Sequence, residues 1–159
     1  MVGKAWYIGW VWTVMAAACT SGTGEEAEPS FVFTDDELDT HDRIDAYRGE
    51  EGLGALATDE LLGELAREHS EDMLSGAVPF SHDGFDGRAD AMFDAGFVGA
   101  AENVAVNSGF TDPVGTAVQG WLDSPGHHEN IVGDWTHAGV GIATDGEQYY
   151  FTQLFATQD

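Results

Sequence analysis

The strongest constraint on this chain is a change of hydrophobic period along its length. Leu61, Leu62, Leu65, Ala66, His69 and Met73 recur at spacings of three and four, which makes one apolar helical stripe. Thr58 is placed to cap that helix, with Asp59 and Glu60 in its first turn and Gly76 as its stop. Val114, Ala117, Val118 and Trp121 repeat the pattern after Asp112-Pro113, a cap followed by a first-turn proline. Near the end the pattern changes. Ala138–Ala143 and Tyr149–Phe155 read as two strands around the turn Asp145-Gly146-Glu147. Helices first and a hairpin last predict the α+β class, with helices packed on a small antiparallel sheet.

The weaker segments fit the same scheme. A first helix is expected from a cap at Asp39 or Thr40, with Ile44, Tyr47 and Arg48 on one face and Gly49 or Gly52 as its end. The run Asp35-Asp36-Glu37 reads as a solvated lead-in. Pro79–Gly84 is a loop, Arg88–Ala95 a short helix, and Phe97-Val98 and Val104–Val106 short extended pieces. His41 and His128 are expected on the surface, His69 at the core edge and His137 beside a strand.

The ends of the chain divide differently. Met1–Ala18 reads as an export signal: Lys4, then an apolar run, then Ala16-Ala17-Ala18 before Cys19. The run is shorter than the roughly 20 residues of a membrane span. Its end resembles a bacterial lipoprotein cleavage box with Cys19 as the lipidated residue, although Ala16 stands where a bulky aliphatic is usual. Residues 19–38 read as an acidic flexible tether and 39–159 as one domain. Cys19 is the only cysteine, so no intramolecular disulfide forms. The expectation is an extracellular, surface-held protein whose membrane partner is reached through a lipid on Cys19.

Charge removes one class of partner. Against 29 acidic residues stand five basic ones, a net charge of −24. Such a surface repels phosphates, so no nucleic acid is expected as a partner. The same charge suits a heavily solvated surface, or one adapted to high salt.

Three polar clusters remain for chemistry. They are Phe80-Ser81-His82, Ala101-Glu102-Asn103-Val104-Ala105, and Trp121 through Ser124-Pro125-Gly126-His127 to Asn130-Ile131. Two imidazoles and a carboxylate suit a divalent metal with an open position, or acid–base chemistry with Glu102 as base and a histidine as acid. Each residue also has a plain structural reading. His82 fits a loop cap, Glu102 a turn acceptor and His127 a helix cap. Ser81 and Ser124 stand near the histidines, but neither lies in a nucleophile elbow.

With Gly139-Val140-Gly141, Tyr150, Thr152-Gln153 and Phe155, these clusters resemble the CAP superfamily. That superfamily groups cysteine-rich secretory proteins, antigen 5 and pathogenesis-related proteins, and the compact bacterial branch is the most similar. The resemblance spans about Thr40 to Phe155. It implies a three-layer α-β-α sandwich with a surface cleft. It also implies that His82, Glu102 and His127 are three members of a cleft tetrad whose histidines hold Zn²⁺ in some relatives. The fourth member, an acid, falls on Ser124 here; Asp123 or Glu129 are the available substitutes. The functions it implies are binding of a ligand or divalent metal in the cleft, hydrolysis of peptides or cell-wall material there, or a non-catalytic lipid- or protein-interaction module.

Overall fold

The computed structural model describes residues 31–158. The expected signal at 1–18 and Cys19 lie outside the described residues, as does the tether up to residue 30. The compact unit begins at Phe31, ahead of the expected Asp39.

Helix α1 runs Asp35–Glu50 and starts before the expected cap. Thr34 caps it in a reciprocal capping box: its side chain accepts from the Glu37 backbone while the Glu37 carboxylate accepts from its own N–H. The expected solvated lead-in is therefore the helix's first turn. Glu37 is fully buried, not solvated, because its carboxylate takes the Arg67 guanidinium and the Ile142 N–H at 2.9 Å. His41, expected on the surface, is buried with Nε2 3.0 Å from the Leu56 carbonyl.

Strand β1 (Ala57–Thr58) leads into α2, Glu60–Ser75, whose cap is Asp59 rather than Thr58. Helix α3 spans Phe85–Asp94. Val98–Ser108 is one continuous strand, β2, where two short pieces were expected; a shift of register at Gly99 keeps its start in the ladder. Helices α4 (Pro113–Leu122) and α5 (Pro125–Ile131) follow, then β3 (His137–Thr144) and β4 (Gln148–Thr157). No described helix is long and apolar enough to cross a membrane.

The sheet order is β1-β3-β4-β2. The long pairs β2–β4 and β3–β4 are antiparallel, as expected. The short β1 adds one parallel pairing to β3, which makes the sheet mixed. Alternation along β4 builds two cores. Phe151 and Phe155 face α1, α4 and α5, packing with Ile44, Val118 and Trp121. Leu154 and Ala156 face α2 and α3, packing with Leu62, Ala66 and Met92. The result is the three-layer sandwich, with β2 as the edge strand where both helical layers meet.

Candidate functional site

The site is built by two successive residues of the edge strand. Side chains alternate across a sheet, so Glu102 faces the α2–α3 layer and Asn103 faces the α4–α5 layer. Each brings in one histidine.

Glu102 brings in His82. Its carboxylate is buried, with 1% of the side chain exposed, and Oε1 lies 2.8 Å from His82 Nδ1. A carboxylate oxygen accepts, so Nδ1 is the donor of this pair, and in the neutral ring the free lone pair is then on Nε2. The other oxygen belongs to Arg88: Oε2 lies 2.7 Å from Nε and 2.6 Å from Nη2. Only the Nε contact has hydrogen-bond geometry, so Nη2 contributes charge rather than a second bond. The loop carrying His82 is clamped from both sides. Buried His69 donates from Nε2 to the Ser81 carbonyl at 3.0 Å, and Arg88 Nη1 donates to the Asp83 carbonyl at 3.1 Å.

Asn103 brings in His127. Fully buried, it donates to the His127 carbonyl at 3.2 Å. Asn130 Nδ2 is shared between Asn103 Oδ1 and the Glu102 carbonyl, at 2.9 and 3.0 Å. These bonds hold the seven-residue α5 against the strand. His82 and His127 then meet over the sheet edge, ring centroids 6.3 Å apart.

The structure thus brings His82, Glu102 and His127 together. Ser124 caps α5 without a side-chain bond. Asp123 accepts from Gln119, and exposed Glu129 has no recorded bond to the three. Among the described residues no group of three His, Cys, Asp or Glu side chains is disposed to hold one ion. Ser81 is committed within its loop, its hydroxyl donating to the Pro79 carbonyl at 3.2 Å. His128, expected exposed, is half-buried with Nε2 2.7 Å from the Tyr47 hydroxyl.

Sequence reasoning missed Arg88, which it placed only as the start of a helix. A signal existed. In a chain this acidic an arginine is rare, and each of Arg43, Arg48, Arg67 and Arg88 has structural partners: carboxylates for three, and the Ile131 and Gly133 carbonyls for buried Arg48.

Burial lowers the pKa of His127, and the neighbouring His82 lowers it further; burial likewise lowers that of His69. Both rings stay neutral in the folded chain where an unfolded histidine, near 6.5, begins to take a proton. The unfolded state therefore binds more protons as pH falls. This contribution to stability is complete above about 6.5 and declines below it as pH falls through the depressed folded values. Thermal melts between neutral pH and about pH 5 should show a falling Tm, and His69→Asn should flatten that fall. A slope unchanged in the variant would remove His69 from this account.

Comparison with known proteins agrees with this architecture. Residues 41–157 match the family model described as the cysteine-rich secretory protein family, CAP. An uncharacterized membrane protein of Bacillus subtilis, YlbC, is 35% identical over 129 residues, which cover 78% of this chain and 35% of that protein. A crystal structure of an extracellular protein containing an SCP domain, from Bacillus anthracis, is 30% identical with a TM-score of 0.65, covering 77% of this chain and 40% of that one. An outer surface protein of Borrelia burgdorferi shares the fold at 22% identity and a TM-score of 0.66, covering 80% of this chain and 97% of that one. The chain spans about a third of the first of these relatives and two fifths of the second.

Proposed function

Because this chain belongs to the cysteine-rich secretory protein (CAP) family, we propose that it is an exported surface protein, anchored by a lipid on Cys19, whose His82–His127 cleft binds a ligand through a divalent metal such as Zn²⁺. The single observation that carries the metal reading is the bond from His82 Nδ1 to Glu102, with Arg88 on the far oxygen. A carboxylate that holds one imidazole nitrogen orients the other as a ligand, and metal-binding histidines are regularly backed in this way. Donor chemistry fits: two imidazole rings lie with centroids 6.3 Å apart, and the lowered pKa of His127 favours its neutral, ligating form.

In this reading His82 and His127 hold the ion, while Glu102 orients His82 instead of ligating. A bound metal would supply a Lewis-acid centre with open positions for a ligand or water. Glu102 is a poor candidate for a general base, since both its oxygens are engaged and its side chain is buried. That argues against hydrolysis through Glu102 and favours a binding role for the cleft.

Calorimetric titration with ZnCl₂ tests the proposal. The wild-type chain should give saturable heat, and the double variant His82→Ala/His127→Ala none. Glu102→Gln should bind about 10–100-fold more weakly, as expected for losing the group that orients a ligand. Equal heat from wild type and double variant would sink the metal reading. Release of the chain by a lipase, against retention of Cys19→Ser in the soluble fraction, tests the anchor.

A further inference from the structure

The edge of the sheet is closed in two places and open in a third. In an antiparallel pair, alternate residues turn both backbone groups away from the neighbouring strand. On β2, Glu102 and Val104 belong to this outward set, and their carbonyls are taken by Asn130 Nδ2 and Trp121 Nε1, each at 3.0 Å. Side-chain caps of this kind protect a sheet edge from pairing with foreign strands. Val106 is the next outward residue, opposite Tyr150 on β4. Among the described residues no side chain or loop bonds its backbone.

Just there β2 and α4 part. A groove of about 400 Å³ separates Val106 and Ser108 on the strand from Thr116 and Gly120 on the helix, with Phe110 in its wall. Phe110 lies open to solvent at 56% exposure; Val106, 41% exposed, borders the groove with its backbone and turns its side chain to the opposite face of the sheet. Asn107, also in the wall, donates from Nδ2 to the Pro113 carbonyl at 2.9 Å, but its Oδ1 is buried without a partner.

Charge selects the occupant. The chain carries −24, and its four arginines beyond Lys4 are all committed to internal partners. An anionic partner finds repulsion and no free guanidinium; a cationic one is steered in. A second copy of the chain would bring two strongly negative bodies edge to edge. A membrane offers no strand to pair.

We propose that this groove docks an extended segment of another protein, one that alternates basic and apolar residues, by strand addition to β2 at Val106. The Val106 N–H and carbonyl pair with the added strand. Phe110 covers its apolar side chains on the α4 side, and its basic side chains, on the alternate face, are held by the field of a chain that carries −24. The site is separate from the His82–His127 cleft and does not depend on metal.

The test is fluorescence anisotropy of a labelled Lys-Val-Lys-Val-Lys-Val amide titrated with the full chain. Saturable binding is expected, with none for the matching Glu-Val peptide. Methylating alternate valine amides of the peptide removes its ladder donors and should weaken binding about tenfold or more. Val106→Pro should do the same from the protein side, since proline is tolerated on an edge strand where its N–H would face outward. His82→Ala should bind as wild type does. The inference is overturned if the Lys-Val peptide does not saturate. It is equally overturned if the methylated peptide binds as well as the parent, which would mean that charge alone attracts it. The methylated peptide keeps the test decisive even where Val106→Pro disturbs the fold.

Discussion

Arg67→Met is expected to destabilise the domain by about 3–5 kcal/mol, the usual cost of leaving a buried carboxylate without its counter-ion. Glu37 is fully buried, and four donors converge on it: two from the Arg67 guanidinium and the backbone N–H groups of Thr34 and Ile142. Arg67 keeps 24% of its side chain in solvent, so it can rehydrate when its partner is lost; Glu37 cannot. The two single variants should therefore differ. Glu37→Met removes the buried charge itself and should cost less than Arg67→Met. The double variant Glu37→Met/Arg67→Met should recover part of the loss, because no buried charge then remains. Urea denaturation of the four proteins measures the cycle. Equal losses from both single variants, simply adding in the double, would show that the pair is not coupled.

Gly141→Ala should be nearly as damaging, for a steric reason. Helix α2 lies directly on the backbone of β3. A Cβ at Gly141 would stand closer than 3.0 Å to the backbones of Ala66 and Arg67, and one at Gly139 would do the same to Leu62 and Gly63. Overpacking usually costs about 1–3 kcal/mol when side chains can move aside. Here the opposing atoms are helix backbone, so we expect at least the top of that range, about 3 kcal/mol, and a Tm lower by about 10 °C. Gly87→Ala is the control. It sits within α3 with nothing within 4 Å of its added Cβ, so it should be neutral or stabilising by up to about 1 kcal/mol. Calorimetric melts that place Gly141→Ala beside Gly87→Ala would contradict the close helix–strand contact.

These two sites differ in how far the sequence revealed them. Gly139-Val140-Gly141 was visible as a motif in a strand, but its purpose was not. A glycine in a strand announces either a bulge or a close approach, and choosing between them requires knowing what crosses that face. Glu37 was read in the opposite sense, as solvated. Its two acidic neighbours, Asp35 and Asp36, are exposed and gave the segment its polar character. The burial of the third depends on Arg67, thirty residues away, and no local pattern carries that pairing.

The candidate site divides in the same way. His82, Glu102 and His127 were legible because each sits in a compact cluster, and the resemblance to known proteins joined the clusters into one cleft. Arg88 and His69 were not, because they act on the site through another residue's oxygen or carbonyl. Nor could the chain order show that Glu102 and Asn103, adjacent on one strand, would recruit partners from opposite layers.

Period and punctuation along the chain were enough for the class of fold and for the helices and hairpin. These properties arise from neighbours a few residues apart, whose spacing sets which face they share. Which buried charge finds which partner, which strand forms the edge, and where that edge stays open depend on contacts between distant segments. Such contacts exist only once both helical layers have closed on the sheet, and the free energy of each is set by burial that no single segment can provide.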